Sequence, residues 1–177
     1  RCSLLPVKVL NNNNSGSWSS VAKGILYAVD HGASVINLSL GATLDSPTLD
    51  NAVEYARQHD VVVVAAAGNA GKDTPFYPAA IPFVVAVGGT DRNDQHWAMS
   101  NYGDWVDVVA PANGIYSDYR TQNATASYAY MSGTSMASPF VAGLAALIRS
   151  QLPKLPAPEV GAMIAASAVD LGTPGKD

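Results

Sequence analysis

Cysteine is almost absent: Cys2 is the single thiol among 177 residues, which excludes an internal disulfide and a zinc site built from spaced Cys and His ligands. It reads as a small apolar residue that happens to carry sulfur. Charge is also scarce, at 14% of residues against 48% hydrophobic, so a disordered, charge-rich tail is excluded and a compact domain expected. Ten Lys plus Arg against fourteen Asp plus Glu leave a formal net charge of −4. No basic run or basic-aromatic cluster occurs, so nucleic acid is not an expected partner. No apolar run approaches the ~18 residues of a membrane-crossing helix, so no membrane partner is expected either. The chain opens at Arg1 rather than Met, with no charged-then-apolar leader, and reads as cut from something longer. Its length suits a single domain with one sizeable core.

What is present is a series of short apolar runs: Leu4 to Leu10, Ser34 to Leu40, Val61 to Ala67, Phe83 to Val87 and Val106 to Ala110. They are rich in Val and Ile, and most lack apolar/polar alternation, the pattern of strands buried on both faces in a parallel sheet. Helical spacing appears between them. Ser17 to Asp30 puts Val21, Ile25, Leu26 and Val29 on one face before Gly32, and Pro47 to His59 gathers Leu49, Ala52, Val53 and Ala56. Alternating strands and helices predict right-handed crossovers and an open α/β sheet. Residues 111–130 read as loop and hairpin. Thr134 to Arg149 is apolar nearly all round and is expected to run through the core. Glu159 to Ala168 reads as a last amphipathic helix.

Chemistry concentrates in three segments. In Ser132-Gly133-Thr134-Ser135-Met136-Ala137-Ser138-Pro139, small and hydroxylated residues open an otherwise apolar helix. Ser132 or Thr134 can be a plain helix cap. A serine in that first turn can also be a nucleophile, because the outward-facing amides favour developing negative charge. Ala65-Ala66-Ala67-Gly68-Asn69-Ala70-Gly71 ends a buried strand, where open parallel sheets bind ligands. Asn69 there is either an ordinary turn residue or a donor brought close by flanking glycines. Asn37-Leu38-Ser39-Leu40-Gly41 closes another strand the same way and could offer backbone groups to an extended peptide.

Together these segments resemble the subtilisin-like serine proteases, the thermitase-like members most of all, collinearly from about Val7 to Ala168. The resemblance implies a three-layer αβα fold with a mainly parallel sheet, whose N-terminal part lies outside this sequence. It implies Ser135 as nucleophile and the Asn69 side-chain amide as oxyanion donor. Ser39-Leu40-Gly41 and Ala67-Gly68 would be the two walls of the primary specificity pocket. Asn14-Ser15-Gly16 would be the strand that pairs with a bound peptide, and Trp18 would line a more distant pocket. Phe76 aligns with the base of the primary pocket, where it would favour smaller side chains, and Phe140 stands where a histidine is common. The expected reaction is peptide-bond hydrolysis on a polypeptide substrate by a secreted monomer, with no cofactor in the chemistry. Structural calcium is a family habit, its weaker site using backbone carbonyls near Ala79, Ile81 and Val84.

The family's catalytic histidine and aspartate motifs do not occur here. The histidines are His31, His59 and His96. Asp30-His31 looks like a dyad, but neighbours on a helix point apart, and His59 and His96 fall in expected surface turns. The resemblance therefore implies a partial catalytic domain, inert alone, whose base and orienting acid belong to a longer protein. Two other identities compete with this one. A degenerate peptide-binding or assembly module predicts damaged nucleophile and oxyanion motifs, and both are intact. A lipase-like hydrolase needs Gly-x-Ser-x-Gly, and Gly133-Thr134-Ser135-Met136-Ala137 lacks the second glycine. Asn13-Asn14-Ser15 and Asn123-Ala124-Thr125 match the glycosylation pattern, which matters only in a glycosylating host.

Overall fold

The computed structural model describes residues 2–119 and 127–171; Asn123-Ala124-Thr125 lies outside them. In chain order the elements are α1 (Trp18–Asp30), β1 (Val35–Leu38), α2 (Pro47–Gln58), β2 (Val62–Ala66), β3 (Val84–Thr90) and β4 (Val108–Pro111). They are followed by β5 (Ile115–Tyr119), β6 (Ser127–Met131), α3 (Thr134–Gln151) and α4 (Ala157–Ser167). Strands β1 to β4 form a parallel sheet in sequence order, and β5 and β6 form a separate antiparallel hairpin.

The valine runs work as expected because strand side chains alternate between faces. Ile36, Leu38, Val63, Ala65, Val84 and Ala86 pack with α1 and α2. Their neighbours Val62, Val64, Val85, Val87, Val108 and Ala110 pack with α3 and α4. Burying both faces makes three layers and explains why the runs show no alternation.

Two expectations need correction. Leu4 to Leu10 is irregular and belongs to no ladder. Val7 and Val9 instead lie on α1, where a side chain at Gly24 would collide with Val9. An apolar run supplies side chains for a sheet face, but a ladder also needs a neighbouring strand. The second correction is α3, which does not run through the core. Ala137, Ser138, Val141 and Ala145 face the sheet, whereas Phe140 and Leu147 are 51% and 66% exposed, and Leu144 is exposed beside them. Phe140 and Leu144 line an open cleft whose other wall includes Ile164 and Val169.

At its other end the α3 layer is tied down by charge. Buried Arg149 donates to the Asp60 carboxylate at 2.9 Å and to the Asp60 carbonyl, while Asp60 Oδ1 accepts from the Ala157 amide at 2.6 Å. The ends of α2 and α3 and the start of α4 thus meet at one carboxylate, and the Arg149 guanidinium holds it below the usual carboxylate range.

Candidate active site

The carboxyl ends of β1 and β2 lie side by side in a parallel sheet, so the segments leaving them, from Ser39 and from Ala67, share one edge. The first turn of α3 starts at that edge. Its N-cap, Gly133, brings no side chain, and neither Thr134 nor Ser132 plays the capping part; the side chain that accepts a first-turn amide is that of Asn69. The Ser132 hydroxyl accepts from the Gly114 amide at 2.9 Å and donates to Asn113 Oδ1 at 3.1 Å. The buried Thr134 hydroxyl accepts from the Gly68 amide at 3.0 Å and donates to Asn69 Oδ1 at 3.0 Å. The Thr134 amide also donates to Asn69 Oδ1, at 2.8 Å.

Those contacts orient Asn69. Its carboxamide oxygen accepts twice from Thr134, so only the NH2 group is left to face elsewhere. That NH2 lies beside the start of α3, 3.4 Å from where a side chain on Gly133 would begin. The Ser135 amide takes no partner among the described residues. A helix N-terminus supplies partial positive charge. Two unspent N–H groups, from Ser135 and Asn69, therefore lie at the start of α3, where the Ser135 hydroxyl rests on the Ser39 carbonyl at 3.3 Å.

Asn101 was not singled out in the sequence. It is 3% exposed, and its amide, carboxamide NH2 and carboxamide oxygen bond Gly68 O, Ala67 O and the amides of Ala70 and Lys72. It holds the whole Asn69 loop in shape. Gly68 is required by the same contact: its φ is +101°, and a Cβ there would lie 2.6 Å from Asn101 Nδ2. No pattern in Ser100-Asn101-Tyr102 signals this, because the partner lies more than thirty residues earlier.

The other expected site residues divide into those brought together and those kept apart. Gly41 and Gly68 both abut the ring of Phe76, which fills the space between the two segments. Ala42 and Tyr77 pair by two backbone hydrogen bonds and fix that arrangement. Leu40 is half-buried against the α1–α2 layer. Asn14, Ser15 and Gly16 form no strand. They belong to a tight turn in which Asn11 Oδ1 accepts from the Asn13 and Ser15 amides and Ser15 O accepts from Asn11 N. Four consecutive Asn residues before Ser-Gly favour such local side-chain bonds over a ladder. Trp18 packs partly against the core.

The three histidines are engaged elsewhere. His31 and His59 close α1 and α2, each ring bonding the carbonyl of Tyr27 or Tyr55 at 2.8 Å. Asp30 accepts from the Tyr55 hydroxyl rather than orienting His31, and His96 stands edge-on to Tyr102. Among the described residues no three His, Cys, Asp or Glu side chains converge as a metal site. Of the calcium carbonyls expected by resemblance, that of Ile81 accepts from the Val84 amide at 3.2 Å.

Comparison with known proteins gives a uniform picture. The model of the Subtilase family matches residues 1–177. Thermitase of Thermoactinomyces vulgaris is 52% identical over 85% of this chain and 53% of its own length. The thermophilic serine proteinase of Bacillus sp. (strain AK1) is 56% identical over 84% of this chain and 36% of its own. A solved cold adapted subtilisin-like serine proteinase superposes with a TM-score of 0.84 at 34% identity, covering 93% of this chain and 59% of that one. The chain thus spans between 36% and 59% of the length of these relatives.

Proposed function

Since this chain belongs to the subtilase family, we propose that it carries the nucleophile and oxyanion hole of a serine endopeptidase that cleaves polypeptides through an acyl-enzyme. One observation carries the reading: the Asn69 carboxamide is anchored through its oxygen to both donors of Thr134, which leaves its NH2 and the Ser135 amide both unspent at the helix start that bears the Ser135 hydroxyl.

In the proposed reaction Ser135 Oγ adds to a peptide carbonyl and gives its proton to a base. The carbonyl oxygen becomes an oxyanion held by the Ser135 N–H and Asn69 Nδ2, in place before the reaction and so needing no reorganisation. Collapse breaks the C–N bond, the base returns the proton to the leaving amine, and water repeats the cycle on the acyl-serine. A serine hydroxyl needs that base, and the three histidines here are turned to other partners. We assign the base and its orienting acid to residues of a longer protein outside this sequence. Loss of the catalytic base in subtilisin itself costs ~10⁶-fold in turnover, so the chain alone is expected to be inert. Phe76, wedged between Gly41 and Gly68, supports a primary pocket cut short for small side chains. Secretion and a monomeric state complete the proposal by family habit, and no described helix is long and apolar enough to cross a membrane.

The test is labelling with a fluorophosphonate serine probe, on this chain and on the longer protein that contains it. Labelling of the longer protein at Ser135, lost in Ser135→Ala and absent from the isolated chain, is the expected result. A correctly folded longer protein that does not label would sink the enzymatic reading and leave a peptide-binding module.

A further inference from the structure

Behind Ser135 runs a second chain of hydrogen bonds that the acyl-transfer reading does not use. Ser138 lies one turn along α3 and is fully buried. Its hydroxyl donates to Asn37 Oδ1 at 2.6 Å. Asn37 Nδ2 donates to the Ser39 hydroxyl at 2.9 Å, and that hydroxyl donates to the Ser135 carbonyl at 2.9 Å. Ser135 Oγ in turn donates to the Ser39 carbonyl. The ring closes through backbone: Ser135 to Ser138 along the helix and Asn37 to Ser39 along the strand end. From Ser138 through Asn37 and Ser39 to the Ser135 carbonyl the donors point one way, with the Ser39 hydroxyl both accepting and donating, the arrangement in which such bonds strengthen one another; the Ser135 hydroxyl bond to Ser39 runs back the other way.

Two sequence choices make room for it. Strand parity puts Asn37 on the same face of the sheet as Val35, the face that packs on α3. Four residues after Ser135 stands Pro139, which has no N–H to give to the carbonyl of residue i−4. The Ser135 carbonyl is therefore free of its helical partner and open to Ser39. A proline near the start of a helix, with a buried serine and an asparagine aimed across at it, looks purposeful only as a set.

We propose, resting on the nucleophile role of Ser135, that Asn37 and Ser138 are positioning residues that fix the Ser135 peptide through Ser39. With the carbonyl gripped, the Cα–Cβ direction of Ser135 is set against the oxyanion donors rather than left to the fraying of a helix end. Attack geometry is steep enough that a displacement of 1 Å costs ~100-fold, and side chains of this kind hold a site only when their own rotamers are locked by further partners.

The decisive variant is Asn37→Asp in the full-length protein. It keeps size and still accepts from Ser138, but has no N–H, so the Ser39 hydroxyl turns to the carboxylate and releases the Ser135 carbonyl. The expected result is an acylation rate and kcat lowered by about tenfold or more, with KM within about threefold and the melting midpoint little changed. Ser138→Ala opens the ring one link further from Ser135 without adding charge, and is expected to slow acylation in the same sense but less. Either variant, folded and acylating at the wild-type rate, would overturn the proposal, as would a loss confined to KM. If Asn37→Asp does not fold, Ser138→Ala decides alone. Wild-type protein that fails to label at Ser135 would instead defeat the underlying enzymatic reading, so the two failures are distinct.

Discussion

Replacing Thr134 by valine tests how the oxyanion donor is held. The two side chains have nearly the same shape, so the site keeps its volume and loses only a hydroxyl. That hydroxyl makes two bonds inside a region where Thr134 is fully buried. The Gly68 amide would be left buried without an acceptor, at about 1–3 kcal/mol, and the lost bond to Asn69 Oδ1 would add about 1 kcal/mol, because that oxygen retains the Thr134 amide. The methyl group that replaces the hydroxyl returns about 0.8 kcal/mol of apolar burial. The net is a destabilisation of about 2 kcal/mol. With a urea slope of about 2 kcal/mol per molar for a domain of this size, the unfolding midpoint should fall by about 1 M at unchanged slope. Equilibrium urea unfolding followed by tryptophan fluorescence reads this directly, on the longest form of the protein that unfolds reversibly. A midpoint within about 0.3 M of wild type would refute the claim that this hydroxyl is the buried link between the Asn69 loop and α3.

Three further outcomes follow from other contacts. In the full-length protein Asn69→Ala should lower kcat by about 100–1000-fold with little change in KM, the size known for the oxyanion asparagine of subtilisin itself; a loss below about tenfold in steady-state kinetics would remove Asn69 from the hole. Phe76→Gly should extend acceptance to large aromatic residues before the scissile bond, measured as kcat/KM on paired peptide substrates, and no gain would mean that the ring does not floor the pocket. Asp60→Asn should flatten the acid limb of stability. The Arg149 guanidinium holds the Asp60 carboxyl below the usual carboxylate range, so its contribution is present above that range and lost as pH falls through the folded value. Melting midpoints of wild type and variant should therefore differ at pH 6 and converge towards pH 3; an equal gap at both would show that the ion pair is not the cause.

Much of the fold was readable because its signals are local. Val62 to Ala66 and Val84 to Val87 announce buried strands without knowledge of anything else, and the spacing of Val21, Ile25 and Val29 announces the face of α1. Where the reading failed, the deciding fact was the presence or absence of a neighbour. Leu4 to Leu10 has the composition of a strand and no ladder to join, and the far side of α3 has the composition of a core without a cover. At the site, Ser135 and Asn69 were marked by motifs; Thr134, Ser138 and Asn37 stood in the same segments without a visible holding role, and Asn101 stood in none. Asn101 reaches Ala67 across 34 positions, and Ser138 reaches Asn37 across 101. A single asparagine in a polar turn looks the same whether it anchors a loop or faces solvent.

The bare side of α3 has a practical meaning for anyone handling this chain. Phe140, Leu144 and Leu147 form a greasy stripe along a rigid rod, and each, about half exposed, would gain about 1 kcal/mol by leaving water. At high concentration the readiest apolar surface to meet is the same stripe on another copy. The isolated chain should therefore behave as a colloid whose yield depends on dilution, binding hydrophobic dyes while folded and losing material to precipitation as it is concentrated.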